Sequence, residues 1–414
     1  MMKNLFLLLL FTIAFISSCK KDTPEAKQAS PPSITSISPM LGNPETDVSI
    51  NGSNFSTVLN ENIIKFNGVN AKVTNASATT LVVKVPIGAG SGPVSITTSQ
   101  GTVAGPVFTY IPDVFIGGME WNGTHNIIKY WKNGSAVPVT NGSTDPFAYS
   151  MALSGSDVYL AGSENSPNGT SAAKYWKNGN AIPLTDGTHS AAASSIVVVA
   201  SDIYVAGSES NSTKSIAKYW KNGSATALTD GTHDAGASSI VVIGSDIYIA
   251  GYEAASNGTL VAKYWKNGIA TALTNLPNVE TEAMSIAVNG SDVHVVIYEF
   301  DGTNVVYKYW KNGVTTDITG ATQVDQIILV SNDVYMAGRQ SKTAVYWKNG
   351  IANSLTDGSN LAFAHVVTVY GNDVYVAGNE FNGTVKVGKY WKNGEATNFT
   401  NGSFDTSPWG IIVR

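Results

Sequence analysis

The stretch KYWKNG stands at Lys129–Gly134, Lys174–Gly179, Lys218–Gly223, Lys263–Gly268, Lys308–Gly313 and Lys389–Gly394, with VYWKNG at Val345–Gly350. Its tryptophans, Trp131, Trp176, Trp220, Trp265, Trp310, Trp347 and Trp391, lie 45, 44, 45, 45, 37 and 44 residues apart. A second element keeps the same beat: DVFIGG from Asp113, DVYLAG from Asp157, DIYVAG from Asp202, DIYIAG from Asp246, DVHVVI from Asp292, DVYMAG from Asp333 and DVYVAG from Asp373. Between these elements the chain offers only short strand-like runs and turn residues. No helical periodicity interrupts them.

A period in the low forties built of strands alone is the pattern of four-stranded propeller blades. The turns fix the strand order. Asn-Gly after each Trp-Lys tolerates the positive φ of a two-residue hairpin. GSD, GND or SND before the next strand makes a second turn. The midpoint between a blade's Asp and the following Trp falls on Asn122-Gly123, Asn211-Ser212, Asp301-Gly302 and Asn382-Gly383, which supplies the third. One blade therefore runs SSIVVI innermost, then DIYIAG, VAKYWK and ATALT outermost. The first unit lacks an inner strand, and the chain finishes on SPWGIIVR (Ser407–Arg414), an inner strand with nothing after it. The two complete one blade, which leaves no open edge. The expectation is an all-β chain whose residues 113–414 form a closed seven-bladed β-propeller. The Tyr and Trp of the motif alternate across the sheet and are expected to pack between blades.

The N-terminus predicts where the protein resides. Residues 1–18 carry one positive charge (Lys3), the apolar run LFLLLLFTIAFI, then small residues, as a cleavable export signal does. FISSC (Phe15–Cys19) resembles a bacterial lipobox, which implies a lipid on Cys19 and the membrane as a partner through it. The Lys-Lys-Asp that follows resembles the surface-export signal of Bacteroidota lipoproteins, so an outer-membrane lipoprotein exposed at the cell surface is expected. Residues 19–31 read as a flexible tether. Cys19 is the only cysteine, so no internal disulfide, thiol chemistry or cysteine-ligated metal is available. A net charge of −5 without a basic cluster gives no nucleic-acid signal. Only 13% of residues are charged, so the surface must be built largely of Ser, Thr, Asn and Gly.

Residues 32–112 have a separate pattern of short alternating strands and Gly, Pro and Asn turns, as in an antiparallel sandwich. The motifs P.I.SISP..G (Pro32–Gly42), V.I.G.NF (Val48–Phe55) and VP.GA.SGPVSI (Val85–Ile96) resemble the IPT/TIG domain. That resemblance implies an immunoglobulin-like sandwich serving as a spacer or binding module.

No nucleophile elbow, phosphate-binding loop or histidine metal spacing is present, and neither a cofactor nor a metal is expected. His189 and His233 occupy equivalent places in LTDGTH and read as loop residues. The Asx-rich TDGT and NGSD segments read as turns before they read as Ca²⁺ loops. Glu120, Glu164, Glu209, Glu253, Glu299 and Glu380 read as solvated charges at hairpin tips. Residues that repeat serve the framework, so a binding site must come from differences between blades. Counting eight residues back from each blade's Asp, to the mouth of the central channel just before the inner strand, gives Tyr149, Ser194, Ser238, Met284, Asp325 and His365. Trp409 occupies the same place in the closing strand. Phe147 and Phe363, with Trp121, Phe300 and Phe381 at hairpins, extend that face. The sixth blade is short and loses its hairpin projection, leaving a notch. Aromatic and polar groups converging on a concavity favour non-catalytic glycan binding. The alternatives are a protein-interaction scaffold or adhesin, and a polysaccharide lyase or glycosidase. The last would rest on Asp325 and His365, provided their side chains meet within hydrogen-bond reach.

Overall fold

The computed structural model describes residues 30–165 and 169–414. The export signal, Cys19 and the tether up to residue 29 lie outside the described residues. The chain divides after Ile111 into two units, and beyond one 3₁₀ turn at Leu59–Glu61 the described residues form strands and turns alone. None of their helices is long and apolar enough to cross a membrane.

In the first unit Ser33–Ser38, Asp47–Ser53, Thr80–Lys84 and Val69–Ala76 pair in that order, and Ile63–Phe66, Gly92–Thr98 and Gly101–Tyr110 continue the sheet. All these pairings are antiparallel; only the short Leu41–Gly42 strand runs parallel, against Thr109 and Tyr110. Alternate residues, among them Val48, Ile50, Leu81, Val83, Val94 and Ile96, are fully buried. Phe66 meets Phe108 edge-on at 5.1 Å.

The second unit is a seven-bladed propeller of four-stranded sheets. Its inner strands, from blade 2 to blade 7, are Phe147–Ser154, Ala191–Val199, Ala235–Ile243, Glu280–Asn289, Gln323–Val330 and Ala362–Tyr370. Blade 1 takes Val114–Trp121 and the two strands after it from the front of the unit, and its inner strand, Thr406–Val413, from the chain's end. The closing strand pairs antiparallel with Val114–Trp121, as the unfinished ends predict.

The lysines, tryptophan, asparagine and glycine of KYWKNG each have a place in this frame. The seven tryptophans are at most 6% exposed. Each sits in a cluster with apolar residues of the preceding blade: Trp220 with Tyr159, Ala161 and Ala173, Trp265 with Tyr204, Ala206 and Ala217. Trp131 joins Tyr375 and Ala377 of blade 7 and meets Phe399 at 4.9 Å, so the same contact closes the ring. Asn and Gly of each turn have φ of 47–51° and 80–94°, the type I′ conformation expected. The asparagine also reaches across the sheet. Asn267 Nδ2 donates to Asp246 at 2.8 Å, and its Oδ1 accepts from the Ile247 N–H at 2.8 Å. Lys266 pairs with the same Asp246 at 3.0 Å and lies over the Tyr248 ring at 5.0 Å. The Asp that opens each second strand is thus the anchor of the Asn-Gly hairpin, in all seven blades.

One expectation is corrected. The repeated glutamates are not solvated tips but members of the second strand, paired diagonally with the first lysine of the motif. Lys218 and Glu209 are 2.6 Å apart with side chains only 19% and 17% exposed. Equivalent pairs join Lys129–Glu120, Lys174–Glu164, Lys263–Glu253 and Lys389–Glu380, with Lys308–Glu299 looser at 3.7 Å. The TDGT segments are turns: Asp186 and Asp230 Oδ1 each accept from the N–H and hydroxyl of the threonine two residues on.

Candidate functional site: the irregular mouth of the propeller

The inner strand of every blade carries a β-bulge at the same place. Register skips one residue between Ala148 and Ser150, Ala193 and Ser195, Ala237 and Ser239, Ala283 and Ser285, Val324 and Gln326, Ala364 and Val366, and Pro408 and Gly410. The skipped residues are Tyr149, Ser194, Ser238, Met284, Asp325, His365 and Trp409. The alignment by distance from the blade Asp is right, but these residues lie within the inner strand, not before it. A bulge frees one side chain from the pairing register and re-aims it. In most blades a glycine opposite accompanies it. Gly162 faces the residue before the bulge so closely that a Cβ there would fall 1.7 Å from the Phe147 carbonyl oxygen. Gly207, Gly251, Gly338 and Gly378 are equally confined. Blade 5 keeps the bulge with Ile297 at this position.

Blades 6, 7 and 1 bring their bulge residues into one array. His365 Nδ1 and Asp325 Oδ2 are 2.7 Å apart. The His365 ring stacks at 5.6 Å on Phe363 and lies 4.5 Å from Trp409. Buried Asn379 fixes the proton positions. Its Nδ2 donates to the Thr406 carbonyl at 2.9 Å, which turns the same amide group toward His365 Nε2 at 3.4 Å. The histidine therefore donates from Nδ1 to Asp325 and accepts at Nε2, a neutral imidazole assigned from its partners. Asp325 also accepts from Gln323 Nε2 at 2.8 and 2.9 Å, and Gln323 Oε1 accepts from Arg339 Nε at 3.1 Å. The expected Asp325–His365 meeting is present, yet His365 is 5% exposed and both its nitrogens face protein groups. It orients its neighbours and has no free nitrogen for a bound solute.

The other expected residues disperse. Phe147 and Tyr149 stack on each other at 6.3 Å on blade 2, each more than a third exposed. Met284 packs against the apolar seam between blades 5 and 6 and is withdrawn from the mouth. Trp409 is half-buried against Met151 and Leu160 of blade 2, with its Nε1 buried and unpaired. It bridges the face of blade 1 to blade 2 while its other side meets His365. Ser194 and Ser238 leave blades 3 and 4 open and small.

Sequence reasoning missed the second-strand partners Arg339 and Asn379, and with them Gln323 and Glu282 on the inner strands. They stand where the repeat departs from its own consensus, AGRQ and AGNEF against AGSEN, so the rule used for the inner strand finds them on its neighbour. Beneath the mouth, blades 2 to 6 line a cavity of ≈ 400 Å³. Around it Ser150, Ser195, Ser239, Ser285 and Gln326 each accept a backbone N–H from the next blade's inner strand, at 2.7–3.4 Å. Among the described residues no group of three or more His, Cys, Asp or Glu is placed to hold a metal.

Residues 32–110 match the IPT/TIG domain family. No curated protein matches the sequence. Among solved structures, a protein of unknown function from Bacteroides thetaiotaomicron shares 12% identity over 89% of this chain and 86% of its own, with a TM-score of 0.41. An auxiliary nutrient binding protein from the same organism shares 13% identity over 84% of this chain and 95% of its own, TM-score 0.35. Polysaccharide lyase Uly1 shares 10% identity over 69% of this chain and 88% of its own, TM-score 0.46. Family match and strand order together make this chain an IPT/TIG immunoglobulin-like domain followed by a seven-bladed β-propeller.

Proposed function

We propose that the protein is a non-catalytic binding protein of the cell surface that takes glycan on the loop face of its propeller. In this reading a lipid on Cys19 anchors it to the outer membrane and the IPT/TIG domain serves as spacer. The observation that carries the reading is the exposed Phe147–Tyr149 stack at the bulge of blade 2, with Phe363 and Trp409 flanking His365 on blades 7 and 1. Flat aromatic faces beside polar groups suit sugar rings, whose C–H faces stack while hydroxyls hydrogen-bond. Catalysis is disfavoured because His365, the natural base, is shielded by Phe363 and Trp409 and engaged at both nitrogens. The test is affinity electrophoresis and a glycan array with the mature protein and a Phe147→Ala/Tyr149→Ala double variant. These rings are exposed, so the variant is expected to lose binding about tenfold, about 1.4 kcal/mol, with its melting temperature within about 2 °C of wild type. Unchanged retention, or no glycan bound by wild type, rejects the reading.

A second reading has its own support. Met40, Leu41, Val58, Ile63 and Val107 of the IPT/TIG domain are each at least half exposed. Apolar surface of that kind marks protein contacts, so a surface protein partner would engage this domain rather than the propeller mouth. Pull-down with the double variant would still recover such a partner.

A further inference from the structure

Among the described residues of the propeller, every lysine except Lys342 and Lys386 has a carboxylate partner. The framework thus consumes its cations wherever the repeat holds. Arg339 has no carboxylate partner either. Two of these groups meet around Phe363, and the turn that carries the third is bonded to the strand beside it. The Arg339 guanidinium lies over the Phe363 ring at 4.8 Å, and Lys386 Nζ lies over it at 5.5 Å. The Lys342 carbonyl accepts the N–H of Ala362, the residue before Phe363, at 2.8 Å. Lys342 itself sits in the two-residue turn that replaces the projecting hairpin of blade 6, between Asp333–Gln340 and Thr343–Lys348.

The nearby acids do not neutralise them. Asp325 is bound by His365 and Gln323, and Gln323 stands between that carboxylate and Arg339. Glu380 is paired with Lys389. Asp405 accepts the backbone N–H of Lys386. Arg339 spends Nε on Gln323 and one Nη1 proton on the Ser341 carbonyl, so its Nη2 edge is left. A guanidinium edge and an ammonium group over one aromatic ring, with an exposed lysine in the adjoining turn, match a sugar that carries anions.

We infer that the ligand is an acidic polysaccharide, its carboxylate or sulfate groups held by Arg339, Lys386 and Lys342 beside Phe363. This rests on the glycan reading above and narrows it. The test measures binding of the mature protein to polygalacturonate and chondroitin sulfate, to their carboxyl-reduced and desulfated counterparts, and to polyglutamate. Wild type should hold at least one acidic polysaccharide, bind its neutralised counterpart about tenfold more weakly, and weaken as salt rises. Lys342→Gln and Lys386→Gln should each reduce binding several-fold without moving the melting temperature, and Arg339→Gln about tenfold. Equal binding of neutral and acidic forms would overturn the acidic assignment while leaving the glycan reading standing. Binding of none of them would overturn the inference, while the glycan array decides the broader reading. Polyglutamate held as tightly as the polysaccharide, or lysine variants that bind like wild type, would also overturn the inference.

Discussion

Glu282, on the inner strand of blade 5, has no lysine or hydrogen-bond partner among the described residues, and burial, helped by the charge of Glu280, pushes its carboxyl up. The sign follows directly. A raised folded pKa means the fold favours the neutral form, so its contribution is fully present below the unfolded value of about 4.3 and is lost as pH rises through the folded one. Glu282→Gln should therefore raise the melting temperature by about 1–3 °C at pH 7 and leave it unchanged near pH 3.5. An equal shift at both pH values would remove burial as the cause. Trp265 presents the opposite case, a large side chain 1% exposed in the seam between two blades. Trp265→Ala is expected to cost about 3–5 kcal/mol in denaturant titration, whereas Trp409→Ala, half-buried, should cost less. The core role of the motif tryptophans was legible because Tyr and Trp alternate along a strand that must bury both faces. The glutamates were not, because Glu209 meets Lys218 across a hairpin, on the diagonal of the ladder. Charge without its cross-strand partner looks solvated.

At the scale of the element, the bulge decides what the mouth can display. Turns and strands could be read because Asn-Gly announces its own conformation. A bulge is an event of register between two strands, and one strand's sequence does not record it. A confined glycine on the partner strand marks it in most blades, and blade 5, with Ile297, carries the bulge without that mark. The same inner strands have an unpaired edge along the channel, where an N–H without an acceptor would be costly. The serines after the bulge answer this by accepting from the next blade. Ser195→Ala should cost about 1 kcal/mol, the usual value of one hydrogen bond, by chemical denaturation. Gln326→Glu keeps an oxygen for the Val367 N–H, 2.7 Å away, and should cost less than Gln326→Met. If the two Gln326 variants unfold together, the bond between blades 6 and 7 contributes nothing.

Over the whole molecule, the seven blades repeat one Asp–Lys–Asn anchor, and its electrostatics add up. The lysine hydrogen bond holds the carboxyls of Asp157, Asp202, Asp292, Asp333 and Asp373 below the usual aspartate range, and the Asn267 bond does so for Asp246. A lowered folded pKa gives stability present above the unfolded value of about 3.9 and lost as pH falls through the lowered one. These pairs are exposed, so each contributes little alone. Together they predict a melting temperature flat from pH 7 to about 5 that falls steeply below about 4. The serine belt has two gaps, at Val366 and Gly410, on either side of the closing strand. There the Asn379–Thr406 bond and the wedge of Trp409 between His365 and Met151 take its place. The two gaps in the belt and the irregular residues of the inner strands thus fall in the same region, at the closing strand. Deleting residues 406–414 removes the inner strand of blade 1, bares the Val114–Trp121 edge and opens the Trp131 seam. The expected outcome is loss of cooperative melting and association through the exposed edge, seen by calorimetry and light scattering. Trp409→Ala, which keeps the strand, should melt cooperatively. If the deleted protein also melts as one monomeric unit near the wild-type temperature, the carboxyl-terminal strand is not the clasp, and the seven sheets hold their ring by face packing alone.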